Sequence, residues 1–381
     1  MEFPIDRFRE LQTPFYYYDT ALLGQTLQTA QSLLMPDWHI HYAVKACTNP
    51  GVMHRIAEAG LGADCVSGGE IRAALAAGFP SESIVFAGVG KSDWEIELAL
   101  GSDIFCFNVE SIPELEVIQE IAQRMGRTAR VAFRINPNVG AHTHENITTG
   151  RAENKFGIAM EDMVGVVRLA RTMANVECIG LHFHIGSQIL DMEDFATLSL
   201  RINELQEVLA SYGFSFPHVN VGGGLGIDYE HPDLSPIPNF KDYFDTFKRY
   251  LRLHKGQQLH FELGRSLVGQ CGTLVTKVLY VKQGNARQFV ITDAGMTDLI
   301  RPALYDAQHK IENLMRQSPL ATYDVVGPIC ESSDVFARDY RMAETRRGDL
   351  LALRSSGAYG EIMASQYNCR PLPKGYLTEQ L

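Results

Sequence analysis

Residues 39–66, HIHYAVKACTNPGVMHRIAEAGLGADCV, contain the repeating unit from which the architecture can be predicted. It begins with a short apolar run at 39–44, continues with apolar residues at i, i+3 and i+4 spacing over 50–59, and ends in a second apolar run at 62–66. The short runs predict strands and the spaced segment predicts a helix. Two strands joined by a helix form a parallel βαβ unit.

The same pattern recurs as far as about residue 265. Eight strands are predicted: HIHYAV (39–44), GADCV (62–66), SIVFAG (83–88), DIFCFN (103–108), RVAFRI (130–135), ECIGLHF (177–183), HVNVG (218–222) and QLHFEL (258–263). Helical periodicity lies between them, for example at 50–59, 69–77, 113–125, 161–173 and 240–254. Eight alternating units favour a closed (β/α)₈ TIM-type barrel, with a doubly wound open sheet as the alternative.

Beyond residue 265 the chain changes to extended, alternating segments separated by Gly, Asn and Asp. They are GTLVTKVLYVKQG (272–284), RQFVITD (287–293), TYDVVG (322–327) and DLLALRSSG (349–357). This alternating pattern predicts a C-terminal antiparallel β domain. The early run PFYYYD (14–19) could belong to either domain.

The composition excludes several classes of protein. The 381 residues are 45% hydrophobic and 21% charged, which is typical of a globular chain and not of a disordered or coiled-coil one. The formal net charge is −11 and no Lys/Arg-rich block occurs, so we expect neither nucleic acid nor a membrane as partner. The amino terminus has no apolar leader, and the seven scattered cysteines favour free thiols, so we expect a cytoplasmic protein.

Polar residues and glycines cluster where a barrel keeps its active site. In this architecture the reactive groups follow the carboxyl ends of the strands. The residues at those positions are Lys45, Asp64, Asn108, Arg134, Asn136, His184, Ser187, Gly222, Gly223, Gly224, Glu262 and Arg265.

Two of these motifs have both a chemical and a structural interpretation. Lys45 follows an apolar strand, and a partly desolvated amine can attack an aldehyde, although lysines also simply cap strands. The run GGGLG (222–226) lets backbone N–H groups approach a phosphate, or forms a tight turn without a ligand. It is a poor match to the dinucleotide fingerprint GxGxxG.

Glu262 and Arg265 stand three residues apart in FELGRS and could form a salt bridge. Alternatively, a carboxylate facing a pyridine nitrogen keeps it protonated, while the arginine binds phosphate or a substrate carboxylate. Cys330 and Glu331 in GPICESSD could supply a proton and hold an ammonium group, or be an ordinary thiol beside a solvated acid.

His182 and His184 alternate on one strand and so point to one face, as in metal-dependent barrel hydrolases. Such a site needs more ligands, and the remaining candidates, His142 and His144, lie in a polar loop. We therefore expect no metal, and favour an imidazole stacked on a planar ring.

Together the motifs resemble a known family. YAVKA, HFHIGSQ, NVGGGLG, E-x-G-R, RPALY, GPICESSD and GAYG, in this order over about residues 10–370, resemble the fold-type III pyridoxal-phosphate decarboxylases. The resemblance implies a barrel at 21–265 and a β domain at 266–381, to which 1–20 contribute. The family usually has proline where this chain has Leu263; leucine can adopt the same φ, so we expect altered local stiffness only.

The resemblance also implies roles for individual residues. Lys45 would carry pyridoxal 5'-phosphate, with Asp64 beside it, His184 stacked on the ring and Glu262 on the ring nitrogen. The phosphate would be bound by Ser187, Gly223, Gly224, Gly264, Arg265 and Tyr359. The substrate would be bound by Arg265, Arg301, Tyr305, Glu331 and Tyr359. Cys330 would be the proton donor, and it and Glu331 would reach the site from a partner subunit, which implies a homodimer with shared active sites.

The implied activity is decarboxylation of meso-diaminopimelate to L-lysine. This substrate carries a second carboxylate and a second ammonium, which the two arginines and Glu331 suit. Decarboxylases of ornithine, arginine or carboxynorspermidine are the nearest alternative, but Glu331 and the pair of Arg301 and Tyr305 argue against them. A racemase of this fold type places arginine at the ring nitrogen, and a non-catalytic relative would have lost Lys45 or Cys330.

Overall fold

The computed structural model describes residues 3–140 and 155–381, so His142 and His144 lie outside the described residues. The chain divides into two compact units. The barrel unit comprises residues 27–226 and 239–264, and the β unit comprises 1–26, 227–238 and 265–381.

The strands, in chain order, are β1 (Phe15–Tyr18), β2 (Trp38–Ala43), β3 (Gly62–Cys65), β4 (Ile84–Phe86), β5 (Cys106–Val109), β6 (Ala129–Arg134), β7 (Val176–His182), β8 (His218–Asn220), β9 (Gln258–Leu263), β10 (Gly272–Gln283), β11 (Gln288–Thr292), β12 (Ile311–Asn313), β13 (Leu320–Val326), β14 (Val335–Ala343), β15 (Leu350–Leu353) and β16 (Lys374–Leu377). The α-helices are α1 (Ile5–Phe8), α2 (Thr20–Ser32), α3 (Pro50–Glu58), α4 (Gly68–Ala77), α5 (Asp93–Gly101), α6 (Ile112–Met125), α7 (Met163–Ala170), α8 (Met192–Ser211), α9 (Phe240–Tyr250), α10 (Arg265–Val268) and α11 (Arg301–Tyr305).

The barrel unit is a closed ring of eight parallel strands in the order β2 to β9. Each strand pairs with the next, and β9 pairs back with β2 from Trp38↔Leu259 to Tyr42↔Leu263. One of the helices α3 to α9 connects each strand to its neighbour. The predicted barrel is confirmed, and its strand ends place the polar residues at one mouth.

Local sequence signals set the starts and ends of the helices. Asn49 caps α3 by accepting hydrogen bonds from the backbone of Gly51 and Val52, and Pro50 occupies the first turn, where its missing N–H has no cost. Ser67 caps α4 through the backbone N–H of Glu70. Asn49 and Ser67 thus start α3 and α4 shortly after the ends of β2 and β3.

The barrel core is aromatic as well as aliphatic. Phe195 of α8 packs edge-on against Tyr243 of α9 with ring centroids 4.8 Å apart. Phe261 of β9 lies 5.0 Å from Phe244 of α9 and 5.3 Å from Trp38 of β2. Contacts between aromatic rings add stabilisation beyond the area they bury, so the contacts of Phe261 with α9 and β2 stabilise the position of β9.

The β unit contains the second, mostly antiparallel sheet, as predicted. Its main path runs β12-β15-β10-β11-β13-β14. The amino-terminal strand β1 pairs antiparallel with β10, from Phe15↔Val275 to Tyr18↔Gly272, so the early run belongs to this sheet. The pairs β1·β16 and β11·β13 are parallel. Within the described residues, no helix is both long enough and apolar enough to cross a membrane.

Candidate active site

Lys45 lies in a single helical turn, Val44–Ala46, directly after β2. Its side chain is 40% exposed, and its Nζ lies 3.6 Å from Oδ2 of Asp64 at the end of β3. Gly264, just after β9, makes room for this turn, because a Cβ there would lie 3.0 Å from the Cβ of Ala43 and 3.1 Å from that of Ala46. The closed barrel therefore places one amine beside one carboxyl group at its carboxyl-terminal mouth.

Asp64 is completely buried. In the part of the chain that the structure describes, neither of its carboxylate oxygens has a hydrogen-bond partner. Burial and the charge of Glu262 together raise the pKa of Asp64 to about 8, although Lys45 acts to lower it. A buried carboxyl group in this state holds a proton at neutral pH and can exchange it with a nearby group.

Glu262, at the end of β9, is held by three side chains from three other strands. Its Oε1 accepts from Asn108 Nδ2 at 3.0 Å and from Asn220 Nδ2 at 2.8 Å, and its Oε2 lies 2.9 Å from His182 Nε2. Burial works to raise the pKa of Glu262, but His182 and Lys45 hold it below its ordinary value. A buried carboxylate that stays ionised is suited to holding a cation or a protonated ring nitrogen.

The glycine turn that follows β8 packs against the end of β9. A Cβ on Gly223 would overlap the carbonyl oxygen of Glu262, and Gly224 has a left-handed φ of +112°. The amide of Gly223 donates to Nδ1 of His184 at 3.3 Å. Burial lowers the pKa of His184, and the charge of Arg134 lowers it further, so this imidazole is neutral.

Ser187 lies on the segment after β7, which runs beside the glycine turn. The backbone N–H of Ile189 in this segment donates to Gly224 O at 2.8 Å, and the N–H of Gly226 donates back to Ile189 O at 2.9 Å. His182 and His184, which are predicted to share one face of a strand, have different partners. His182 pairs with Glu262, and His184 accepts from the amide of Gly223. Among the described residues, no group of three or more His, Cys, Asp or Glu side chains is arranged to hold a metal ion.

The β unit contains a cluster of two buried arginines and three tyrosines. The guanidinium of Arg265 donates to Tyr229 Oη at 2.5 Å and lies 4.8 Å from the ring centroid of Tyr359. Arg301 lies 5.0 Å from the ring of Tyr229 and 5.9 Å from that of Tyr305. Burial lowers the pKa of Arg301, and the charge of Arg265 adds to this effect. Two like charges so close together attract an anion.

Cys330 and Glu331 lie in an exposed turn between β13 and β14. The backbone N–H of Cys330 donates to Asn368 Oδ1 at 3.2 Å, and Tyr367 Oη donates to Oε1 of Glu331 at 2.7 Å. Because both residues are exposed, their side chains can contact solvent or another molecule. Neither residue is part of the buried core.

Known proteins match this chain over most of its length. Residues 22–269 match the family described as Pyridoxal-dependent decarboxylase, pyridoxal binding domain. The chain belongs to the pyridoxal-dependent decarboxylases. It is 64% identical to diaminopimelate decarboxylase of Bacteroides thetaiotaomicron over 381 residues, which cover 100% of this chain and 99% of that protein. It is 42% identical to diaminopimelate decarboxylase of Aquifex aeolicus over 370 residues, 96% of this chain and 87% of that protein.

A solved structure also matches this chain. The crystal structure of diaminopimelate decarboxylase from Helicobacter pylori complexed with L-lysine has a TM-score of 0.93 and 41% identity to this chain. The match covers 99% of this chain and 94% of that one. The fold of the family is thus shared through both compact units.

The barrel mouth fits the cofactor of a pyridoxal-dependent decarboxylase. Asp64 has two buried oxygens without a hydrogen-bond partner among the described residues, beside the amine of Lys45. Glu262 is an ionised acceptor, and the glycine turn approaches the end of β9 so closely that a Cβ on Gly223 would overlap the carbonyl oxygen of Glu262. An aldehyde, a basic ring nitrogen and a phosphate are the groups that such residues bind.

Sequence reasoning assigned no role in the site to several residues that belong to this arrangement. Asn108, Asn220 and His182 surround Glu262, and their position at strand ends was the available signal. Tyr229 and His309 contact the arginines of the β unit: Nε of Arg301 donates to Nε2 of His309 at 3.4 Å. No sequence pattern marked these last two residues.

Proposed function

We propose that this chain uses pyridoxal 5'-phosphate to decarboxylate meso-2,6-diaminopimelate to L-lysine and CO₂, the last step of lysine biosynthesis by this route. The observation that carries the proposal is the buried, ionised Glu262 held by Asn108, Asn220 and His182 at the same barrel mouth as Lys45. The names of the relatives and the L-lysine in a matching structure support the choice of substrate.

The cofactor would be held by residues of the barrel mouth and of the chain after it. Lys45 would bind its aldehyde carbon, Glu262 its ring nitrogen and His184 its ring face. The phosphate would be bound by Ser187, Gly223, Gly224, Gly264, Arg265 and Tyr359. When bound, the cofactor supplies an electron sink for the electron pair that is left as the C–CO₂ bond breaks.

Glu262 and Asp64 divide the acid–base work at the mouth. Glu262 stays ionised because His182 and Lys45 lower its pKa, so it would stabilise positive charge on a ring nitrogen. Asp64, with its pKa of about 8, holds or releases a proton beside the amine of Lys45. Two carboxyl groups with opposite shifts can in this way serve two roles.

The distal end of the substrate would be bound by residues of the β unit. Arg301 and Arg265 would bind the second carboxylate, with Tyr305 and Tyr359 donating hydrogen bonds, and Glu331 would bind the second ammonium. The two buried guanidiniums support this assignment, because ornithine, arginine and carboxynorspermidine have no distal carboxylate that such groups could bind.

Cys330 would donate the proton that replaces the lost carboxylate. We propose that Cys330 and Glu331 act in the site of a partner subunit, so that the enzyme is a homodimer with shared sites. The exposure of both side chains supports this proposal.

All seven cysteines are free thiols, which supports a location in the reducing cytoplasm.

One assay tests the substrate. CO₂ release is measured with meso-, L,L- and D,D-diaminopimelate, ornithine, arginine and lysine, each with and without added pyridoxal phosphate. We expect turnover of meso-diaminopimelate at least about 10⁴-fold above that of the single-carboxylate amino acids, because a site built on polar partners rejects analogues that lack them. Preferred turnover of ornithine or arginine would overturn the proposed substrate and support the alternative decarboxylases.

The cofactor has its own test. Purified protein should take up pyridoxal phosphate with a visible absorption band, and Lys45→Ala should lose that band. A fully active preparation without cofactor would overturn this part of the proposal.

A further inference from the structure

Gly222 is fixed from two sides by hydrogen bonds. Its N–H donates to the side-chain Oδ1 of Asn220 at 2.9 Å, and its carbonyl oxygen accepts from the backbone N–H of Glu262 at 2.8 Å. Its φ is +72°, and a Cβ there would overlap the carbonyl oxygen of Phe183. The glycine turn 222–224 therefore begins at a residue whose conformation depends on both Asn220 and Glu262.

Asn220 uses both ends of its side-chain amide. While Oδ1 accepts from Gly222, Nδ2 donates to Oε1 of Glu262 at 2.8 Å. The side chain is buried, with 5% exposure of the residue, so water does not replace either bond. Because the N–H of Gly222 can only donate and an ionised carboxylate can only accept, a single orientation of the amide satisfies both partners.

We infer that Asn220 is a positioning residue that couples Glu262 to the glycine turn 222–224. It fixes the carboxylate that faces the ring nitrogen and the turn that faces the phosphate as one unit, before any ligand enters. This inference rests on the proposed use of pyridoxal phosphate. A site held in its bound geometry in advance binds more tightly, because less order is imposed on binding.

Asn108 provides a matched contrast. It donates to the same Oε1 of Glu262, at 3.0 Å, but from β5 on another side of the barrel. Its backbone carbonyl accepts at 2.8 Å from the buried Lys91, which also pairs with Glu114 at 2.6 Å. Asn108 thus supports Glu262 through a separate network. The N–H of Gly222 donates to the side chain of Asn220 and not to that of Asn108.

The experiment separates the ring from the phosphate. Apoenzymes of wild type, Asn220→Leu and Asn108→Leu are titrated with pyridoxal phosphate and with pyridoxal, and the two dissociation constants are obtained from the absorption of the bound ligand. The affinity for pyridoxal reports on Glu262 and the ring. The ratio of the two constants reports what the phosphate adds.

Both leucine variants should lose affinity for pyridoxal, since each removes one donor from Glu262. Only Asn220→Leu should also reduce the phosphate increment, by about tenfold, which corresponds to one lost hydrogen bond. In Asn108→Leu this ratio should equal that of wild type. Circular dichroism and thermal melting of each apoenzyme show that the variants are folded.

Asn220→Ser keeps the inference testable if the leucine variant does not fold. A serine hydroxyl can accept from the N–H two residues on but is too short to reach Glu262. It should therefore lose affinity for pyridoxal and keep the wild-type phosphate increment. A reduced increment in Asn220→Ser, or an unchanged one in a folded Asn220→Leu, would overturn the coupling. A wild-type protein that binds neither ligand would instead overturn the proposed cofactor.

Discussion

Glu262 shows how a single carboxylate is kept ionised away from water. It is 7% exposed, and its two oxygens are held by two amides and one imidazole. Burying an ion is costly unless its hydrogen-bonding capacity is filled, and here each donor comes from a different barrel strand. The closed barrel is what brings Asn108, His182 and Asn220 to the same side chain.

Glu262→Gln should keep the shape of this side chain and remove its charge. We expect kcat for CO₂ release to fall by about 10² to 10³, because positive charge on the ring nitrogen loses its partner. The absorption band of the bound cofactor should also shift. Asp349→Asn is the control, since Asp349 is a buried carboxylate that pairs with Arg316 and has no contact with Glu262 among those described. Equal kcat values for wild type and Glu262→Gln would contradict the assigned role.

At the level of the elements, sequence periodicity predicted the barrel strands but not all of their ends. The run 218–222 was predicted as one strand, but β8 stops at Asn220, because Gly222 has a φ of +72° that a strand does not allow. Likewise 83–88 shortens to Ile84–Phe86 before Gly88, whose φ is +101°. Apolar alternation reports which residues are buried, whereas these ends depend on contacts with distant strands.

The turn that carries Lys45 depends on the end of β9. Gly264→Ala would bring a methyl group to 3.0 Å from the Cβ of Ala43 and 3.1 Å from that of Ala46. We expect a loss of about 1–3 kcal/mol in the free energy of unfolding and a weaker affinity for pyridoxal phosphate, because the turn must move. Urea unfolding and a cofactor titration measure the two effects.

Gly24→Ala is the control for this substitution. Gly24 lies within α2, and among the described residues no atom outside its chain neighbours and the adjacent helix backbone lies within 4 Å of where its Cβ would be. Alanine there should stabilise the chain by about 0.5–1 kcal/mol, with no change in cofactor affinity. A neutral effect of Gly264→Ala on both measurements would show that the turn adapts without strain.

At the other end of the barrel, three histidines on β2, β8 and β9 form a hydrogen-bonded row. Nδ1 of His41 faces Ser83 O at 3.0 Å, Nε2 of His41 lies 2.9 Å from Nδ1 of His260, and Nε2 of His260 lies 3.0 Å from Nδ1 of His218. His39 stacks on His260 with centroids 5.1 Å apart. The carbonyl of Ser83 fixes His41 as a donor at Nδ1, so every bond in the row is satisfied by neutral rings.

This row should make the barrel sensitive to acid. Burial lowers the pKa of His41 from 6.5 to about 4, while the charge of Glu262 opposes this shift. Between these two values the unfolded chain binds a proton that the folded chain excludes. The stability contribution of neutral His41 is therefore complete above pH 6.5 and is lost as the pH falls toward 4, by about 2 kcal/mol at pH 5.

Urea unfolding of wild type and His41→Phe at pH 7.5 and pH 5 measures this effect. The ring of His41 stacks on Phe105, and a phenylalanine at position 41 keeps a ring there that cannot bind a proton. The variant should be less stable at pH 7.5, because His260 loses a partner, and its further loss on going to pH 5 should be smaller than that of wild type. The same loss in both proteins would assign the acid sensitivity to other groups.

For the whole molecule, the sequence predicted the candidate residues of the barrel mouth better than those of the β unit. Lys45, Glu262 and the glycine turn could be placed because barrel geometry assigns function to strand ends. Tyr229 and His309 could not, because they contact Arg265 and Arg301 only through the fold of the β unit, from positions without periodicity. Residues that act through distant contacts leave no local pattern in a single sequence.

The proposed sharing of sites between subunits has a quantitative consequence. If Lys45 of one chain works with Cys330 of the other, Lys45→Ala and Cys330→Ala homodimers are both inactive, but random exchange makes half of all dimers mixed, each with one intact site. An equal mixture should then recover about one quarter of wild-type activity. The control mixes wild type with the double variant: shared sites predict a fall from one half to about one quarter, because each mixed dimer has two damaged sites. Sites confined to one chain predict no recovery in the first mixture and a constant half in the second, provided that subunit exchange is confirmed with differently tagged chains.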